Sequence, residues 1–273
     1  MKTALITGTS TGIGRATALF FQKKGWNVAA TMLSPELETE LKKYKNVKCL
    51  KLDVCDFNSA KSALEATIQT FGKIDVVVNN AGVYAIGPFE AATAEQIKRQ
   101  FDTNLFGVMH VIKAALPHFR NNRNGMFINV SSIAGRTVSP MQSLYHGTKW
   151  AIEGFSESLQ YELNQYNIKI KLIEPGLIKT GFSNMTGNTT IILKDSSLST
   201  YNEYADKIVG NLIKGNSEGS DPEGVAKVIY TAATDNKNKF IYPAGKSAHL
   251  VLFLRKILPR TWFHKLIETT LQK

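Results

Sequence analysis

The chain alternates short apolar runs with stretches in which apolar positions recur every three or four residues. Residues 3–7 form the first run and predict a strand. Between residues 12 and 25, Ile13, Ala16, Leu19 and Phe20 fall near a 3.6-residue period, which predicts a helix. Residues 28–32 predict the second strand. A short polar helix is expected over 36–44, after Ser34 and the first-turn Pro35. Residues 47–54 read as the third strand and 58–71 as a helix, with Asn58 as its cap and Gly72 just beyond its end. Residues 74–78 are nearly all β-branched, as suits a strand covered on both faces. A long helical region over 94–120 precedes a strand at 126–130, a helix at 144–166 and a strand at 168–173. Residues 183–199 are polar and irregular. Helices are expected at 201–214 and 222–234, and a last strand at 240–242.

Strands and helices alternating at this spacing imply a parallel sheet with helices on both faces. Right-handed crossovers then make it a doubly wound α/β fold of about seven strands. The 273 residues suit one such domain over 1–245, followed by an extension over 246–273. With 43% hydrophobic and 20% charged residues, the chain has the make-up of a protein with a core. Its two cysteines, Cys49 and Cys55, form no disulfide framework and no zinc set, which points to a reducing compartment. No apolar run reaches the roughly 18 residues of a membrane span, and the N-terminus lacks the apolar region of a signal peptide. A cytoplasmic protein is expected. The net charge of +11 is spread over the chain, and only seven of the 33 basic residues are arginine. That describes a solvated lysine surface rather than a nucleic-acid interface. Its field still attracts anionic ligands.

The first strand runs into Thr7-Gly8-Thr9-Ser10-Thr11-Gly12-Ile13-Gly14. Gly8 permits a tight turn, Gly12 leaves room for an approaching phosphate, and Gly14 lets the helix pack close to the strand. The helix start then offers N–H groups to a pyrophosphate. Further motifs follow in order: Asp53-Val54, Asn79-Asn80-Ala81-Gly82, Asn104, Asn129-Val130-Ser131-Ser132, Tyr145-His146-Gly147-Thr148-Lys149, and Pro175-Gly176-Leu177-Ile178-Lys179-Thr180. Together they resemble the short-chain dehydrogenase/reductase family, over residues 2 to about 245.

The resemblance implies a Rossmann-type fold, a nicotinamide dinucleotide and an oxidoreductase acting on carbonyl or alcohol groups. It implies that Gly8, Ser10, Gly12, Ile13, Gly14 and Thr31 lie against the cofactor. Asp53 and Val54 would meet the adenine, and Asn80, Ala81 and Gly82 the adenosine ribose. Pro175, Gly176, Ile178 and Thr180 would lie near the nicotinamide carboxamide.

Tyr145 and Lys149 are four residues apart and share one helix face. A nearby ammonium favours the phenolate, so Lys149 is placed to lower the Tyr145 pKa. By resemblance, Lys149 also bonds the nicotinamide ribose, Ser132 holds the substrate oxygen, and Asn104 belongs to a water relay. His146 lies about 100° around the helix from Tyr145 and is read as a neighbour without a chemical role. Glu174 stands where many relatives carry Asn and receives no role.

Near this constellation lie Val83, Tyr84, Ile86, Val138, Met141, Phe182 and Met185. They suggest an apolar pocket for a lipophilic or aromatic ketone, aldehyde or alcohol. Val138, Met141 and Phe182 join Ser132 and Tyr145 as expected substrate contacts. No carboxylate stands at Thr31, Met32 or Leu33, so nothing there repels a 2′-phosphate. The usual arginine after that strand is also missing. Hydroxyls of Ser10, Thr31 and Ser34, with charge from Arg15 or a mobile lysine, are the candidate phosphate partners. NADP(H) is therefore the expected cofactor, with NAD(H) as second choice. The basic and apolar tail, 246–273, is read as covering the cleft or lying at an oligomer or membrane surface. A homodimer or homotetramer, paired through helices 94–120 and 144–166, is implied by resemblance. A cofactor-sensing regulatory or scaffold protein on the same fold is the alternative function.

Overall fold

A computed structural model describes residues 1–180, 190–195 and 201–272. Seven strands form one parallel sheet: β1 (Thr3–Thr7), β2 (Asn27–Met32), β3 (Val47–Lys51), β4 (Val76–Asn79), β6 (Gly125–Val130), β7 (Ile168–Pro175) and β9 (Ile241–Ala244). Their spatial order is β3-β2-β1-β4-β6-β7-β9. The strand order therefore reverses between β1 and β4, the place where open α/β sheets bind ligands. Two short strands, β5 (Tyr84–Ile86) and β8 (Thr190–Ile192), pair in parallel as a separate sheet that sequence periodicity did not reveal.

Alternating side chains build a core on each face of the main sheet. Ala4, Ile6, Val76, Val78, Met126 and Ile128 pack with α1 (Gly12–Lys23) and α7 (Pro222–Thr234). Leu5, Val77 and Phe127 point the other way, into α2 (Phe57–Phe71), α4 (Gly107–Asn122) and α5 (Ser143–Asn164). The remaining helices are α3 (Ala94–Phe101), α6 (Asn202–Ser217), α8 (Lys246–Ile257) and α9 (Arg260–Gln272). Among the described residues no helix is long and apolar enough to cross a membrane.

Several boundaries differ from the periodicity. The expected helix over 36–44 is two single 3₁₀ turns, Pro35–Leu37 and Leu41–Lys43. Between them the Glu38 backbone is extended and its side chain accepts from the backbone N–H groups of Glu40 and Leu41, which a continuing helix would have used. The third strand stops at Lys51, so Asp53 and Val54 belong to the turn beyond it. Asp56, not Asn58, caps α2, because its Oδ1 accepts from Asn58 N at 2.8 Å. Gly72, with φ 80°, ends that helix as expected. The region 94–120 is not one helix. A π turn at Asp102–Phe106 separates α3 from α4, and it carries Asn104. Such turns inside helices often mark functional sites. Most of the irregular segment 183–199, with Phe182 and Met185, falls outside the described residues.

A Cβ on Gly14 would lie 2.2 Å from the Gly8 carbonyl oxygen and 2.4 Å from Asn80 Nδ2. Helix, turn and β4 loop would all have to shift. Gly14→Ala is expected to lower stability by about 1–3 kcal/mol, read as an earlier urea midpoint at unchanged slope. A midpoint equal to wild type would show that the turn has slack.

Candidate active site

β1 delivers Thr7 and the glycine turn to the point where β4 ends. Gly8 (φ 71°) and Gly12 (φ 57°) take left-handed conformations that few other residues adopt. Thr7 Oγ1 accepts from Asn80 N at 2.9 Å and Ala81 N at 3.0 Å. Asn80 Nδ2 donates back to Thr7 O at 2.9 Å and Gly8 O at 3.2 Å. These bonds join the two loops, and Gly82 follows directly. Ser10 is exposed and Ile13 half-buried at the start of α1. The Thr31 hydroxyl is buried and donates to Ile6 O, while Thr31 O accepts from Thr9 N.

The surroundings fit an elongated anion-bearing cofactor. Thr11 precedes α1 in an extended conformation, and no side chain caps the helix, so its first N–H groups are open to an anion. A Cβ on Gly12 would lie 3.3 Å from Thr180 Cγ2, which narrows the space between the glycine turn and the loop after β7. In that loop Gly176 N donates to Ala244 O, Leu177 N donates to Ser247 Oγ, and Ile178 is buried. Beyond β3, Asp53 Oδ1 accepts from Cys55 N at 2.9 Å, and Val54 is buried against Gly107. These segments all leave the C-terminal ends of strands, on the rim where ligands bind in such sheets.

Beside the glycine turn, Arg15 is not free-standing. It forms 2.6 Å ion pairs with Glu38 and Glu40. The guanidinium and two backbone bonds hold Glu38 at about 2, well below the usual carboxylate range. No period or motif in the sequence marks Glu38 and Glu40 as partners of Arg15.

α5 presents Tyr145 and Lys149 on one face, and β6 ends one residue before the pair Ser131-Ser132. Lys149 Nζ donates to Val130 O at 2.9 Å and lies 5.7 Å from the Tyr145 ring centre. Burial lowers its pKa to about 8, opposed by the Glu153 carboxylate one turn along α5. Burial raises the Tyr145 phenol to about 12, opposed by a side-chain hydrogen bond with Ser132. In this structure desolvation outweighs any help Tyr145 draws from Lys149. Ser132 Oγ also accepts from Ala134 N at 3.1 Å and donates to Pro175 O at 3.5 Å.

Asn104 is buried in the π turn with both ends of its amide engaged. Its Oδ1 accepts from Val83 N at 2.8 Å, and its Nδ2 donates to Val83 O at 2.9 Å. One turn earlier Gln100 accepts from Ala85 N at 2.7 Å and donates to Val83 O at 3.1 Å. Together they clamp β5 beside the site, a role visible only as an i, i+4 pair of amides.

Tyr84 meets Tyr145 edge to face at 5.0 Å. Tyr145, Met141 and Leu271 pack against a buried apolar cluster of Tyr84, Ile86, Ile208 and Leu212. Met141 has φ 62°, and its carbonyl accepts from Gly87 N. Val138 is exposed nearby in sequence. Buried His146 donates from Nδ1 to Ala134 O and accepts at Nε2 from Ser139 N, which fixes one neutral tautomer and ties down the 134–139 loop.

Behind Lys149 lies a feature that sequence reading left without a role. Glu153 and Glu174 are both buried and face each other, with Ser131 beside them and Arg136 Nη1 3.9 Å from Glu174 Oε1. Glu153 Oε1, Glu174 Oε1 and Ser131 Oγ form no well-shaped hydrogen bond. Burial and the neighbouring Glu153 charge push Glu174 up to about 7.

A model of the short chain dehydrogenase family matches residues 2–190. The chain is 37% identical to the uncharacterised oxidoreductase YusZ of Bacillus subtilis, over 99% of this chain and 98% of that protein. It is 39% identical to a 3-ketodihydrosphingosine reductase of Bacteroides thetaiotaomicron, over 76% of this chain and 73% of that one. A short-chain dehydrogenase from Streptomyces avermitilis superposes with a TM-score of 0.81 at 28% identity, covering 98% of both chains. Two further structural neighbours carry cofactors. A Burkholderia phymatum protein in complex with NAD has a TM-score of 0.81 at 21% identity, covering 97% of this chain and 94% of its own. A serine dehydrogenase complexed with NADP+ has a TM-score of 0.75 at 26%, covering 90% and 95%.

A carboxyl raised in the folded state contributes stability below its unfolded pKa and loses it as pH climbs through the folded value. Wild-type stability is expected to fall between about pH 4.5 and pH 7 from Glu174. Glu174→Gln should remove on the order of 2 kcal/mol of that fall, seen as a variant thermal midpoint that gains steadily on the wild-type midpoint as pH rises from about 4.5 to 7. Parallel midpoint curves would show that folding leaves the Glu174 pKa unshifted.

Proposed function

Since the chain belongs to the short-chain dehydrogenase family, we propose that it interconverts a carbonyl and an alcohol on a lipophilic small molecule, with Tyr145 as the acid and base. The single observation that carries this reading is the meeting of Tyr145, Ser132 and Lys149 at the end of β6, beside an open helix start and a glycine turn. The nicotinamide dinucleotide supplies hydride chemistry when bound. Gly8, Ser10, Gly12, Ile13 and Gly14 would take its pyrophosphate. Asp53 and Val54 would take the adenine, Asn80 to Gly82 a ribose, and Pro175 to Thr180 the carboxamide end. Thr31 supports the glycine turn through its bonds to Ile6 and Thr9.

In reduction the Tyr145 hydroxyl gives its proton to the substrate oxygen. In oxidation the phenolate takes it back. Ser132, already bonded to the Tyr145 hydroxyl, holds the substrate oxygen beside it. The Lys149 ammonium lies close enough to favour the phenolate once the site fills, and it would bond the nicotinamide ribose. Asn104 fixes the Val83 backbone at the wall of the site, and by the family resemblance it would also belong to a water relay to Lys149. Val138, Met141 and Phe182 would line the substrate side, with Tyr84 and Ile86 behind them. Apolar lining around Tyr145 supports a lipophilic substrate, and the 3-ketodihydrosphingosine reductase among its relatives acts on such a molecule by name. Self-association through α4 and α5 is part of the same reading, supported by exposed Phe106 beside α4 and exposed Trp150 and Tyr161 on α5.

NADP(H) is the preferred cofactor in this reading, with NAD(H) also accepted. It is supported by the missing carboxylate at the end of β2, where Met32 is buried and Leu33 exposed, and by Arg15 beside the turn. Selectivity is modest because Arg15 is shared with Glu38 and Glu40.

Tyr145→Phe should keep cofactor affinity and lose at least about a thousandfold in kcat, measured by nicotinamide absorbance over a panel of ketones and alcohols. Turnover near wild type would remove Tyr145 from its role. Leu33→Arg should raise the NADP(H) to NAD(H) ratio of kcat/KM about tenfold, since one charged hydrogen bond to the phosphate is gained. A strong wild-type preference for NAD(H), or a ratio unmoved by the arginine, would count against this assignment.

A further inference from the structure

The last two helices carry a surface that the reaction does not use. On α8, Leu250, Phe253 and Ile257 are 60%, 58% and 55% exposed, and their i, i+3, i+7 spacing puts them in one stripe. Lys246 and Lys256 are exposed beside that stripe. On α9, Trp262 is 68% exposed and Leu266 lies one turn further along. Over both helices Lys246, Arg255, Lys256, Arg260 and Lys265 stand against one acid, Glu268.

The opposite side of α9 turns into the fold. Phe263 is buried, and Leu271 packs against the same apolar cluster that Tyr145 packs against. Ile267 and His264 line an open groove of about 330 Å³ with Val138, Pro140 and Tyr204. One helix thus has an inner face on the substrate side and an outer face of tryptophan, leucine and basic residues.

We propose that α8 and α9 seat this protein on an anionic membrane surface, with the mouth of the substrate cleft beside the bilayer. Exposed Leu, Phe, Ile and Trp side chains enter the interfacial region, and the flanking lysines and arginines meet lipid phosphates. Charge selects this occupant over a second copy of the chain. Two such faces brought together would set basic helices against basic helices, whereas an anionic leaflet complements them. The arrangement deepens the proposed oxidoreductase reading, on which its substrate side rests: a lipid alcohol or ketone would pass from the bilayer along α9 toward Tyr145. Arg255 on α8 lies 5.5 Å from the Phe263 ring on α9, and Asn211 Nδ2 on α6 donates to Leu271 O at 2.8 Å. These contacts hold the two helices in place without using the exposed stripe.

The test is flotation of the full chain with vesicles of phosphatidylcholine alone and of phosphatidylcholine mixed with phosphatidylglycerol. The wild type should float with the mixed vesicles, and raised salt should weaken this. Phe253→Ser combined with Trp262→Ser should weaken it at least about tenfold, and Lys256→Glu should weaken it on the mixed vesicles. Turnover of a short water-soluble ketone and the thermal midpoint should not change in these variants. Absence of wild-type flotation with mixed vesicles would overturn the proposal. So would equal binding to both vesicle types, or a Phe253→Ser/Trp262→Ser variant whose only change is a smaller assembly by size-exclusion chromatography. Flotation needs no turnover, so a failure of the oxidoreductase reading shows separately, as a chain that binds vesicles and reduces no ketone.

Discussion

The close approach of the glycine turn to the loop after β4 is the constraint from which the rest follows. Four hydrogen bonds cross that gap: the Thr7 hydroxyl accepts from Asn80 N and Ala81 N, and the Asn80 amide donates to Thr7 O and Gly8 O. Gly14 leaves just enough space for them. The strand order reverses at this point, so the loops after β1 and β4 diverge above it. That divergence opens a crevice, and the uncapped start of α1 gives it a positive electrostatic character. A side chain at Gly14 would press on all three parts at once, because interiors packed to crystal density have no spare volume.

The second organising feature is the burial of ionisable groups around α5. Lys149 and Glu153 follow one another at helical spacing, and Glu174 comes from the end of β7. A buried ammonium is costly alone, and a buried carboxylate pair is costly when both are charged. Placing the pair one turn behind the lysine offsets part of both costs: the ammonium meets a negative charge, and Glu174 keeps its proton into the neutral range. Arg136, largely exposed, meets the pair from the solvent side. On the other face of Lys149, Tyr145 sits in an apolar cluster, so its phenol stays protonated until a partner changes its surroundings.

The sheet was legible because a strand buried on both faces has to be apolar in nearly every position, as in residues 76–78, whichever helices cover it. The motif residues were legible because each is a residue type at a fixed spacing: Gly8 and Gly12 where φ is positive, and Tyr145 and Lys149 on one helix face. The helix expected over 36–44 was not recoverable in the same way. Its fate rests on Glu38, whose carboxylate is recruited by Arg15 from another element and by two local N–H groups. The long helix over 94–120 hid its π turn for a similar reason. Asn104 and Gln100 take their partners from Val83 and Ala85, residues far enough away in the chain to leave no periodic trace.

By itself, then, the sequence determined the strand and helix alternation, the parallel sheet and the set of residues at its C-terminal rim. The alternation and the sheet depend on local backbone preference and on burial, which neighbouring residues record, and the rim residues were marked by motifs that resemble a known family. Only the tertiary structure decided which charges meet: Arg15 with Glu38 and Glu40, Glu153 with Glu174, Lys171 with Asp235. It also decided that the outer faces of α8 and α9 stay exposed while Phe263 turns inward. Those outcomes depend on long-range packing, since an ion pair or an uncovered apolar stripe is defined by what another element brings to it. A pattern read along one stretch of chain does not contain that information.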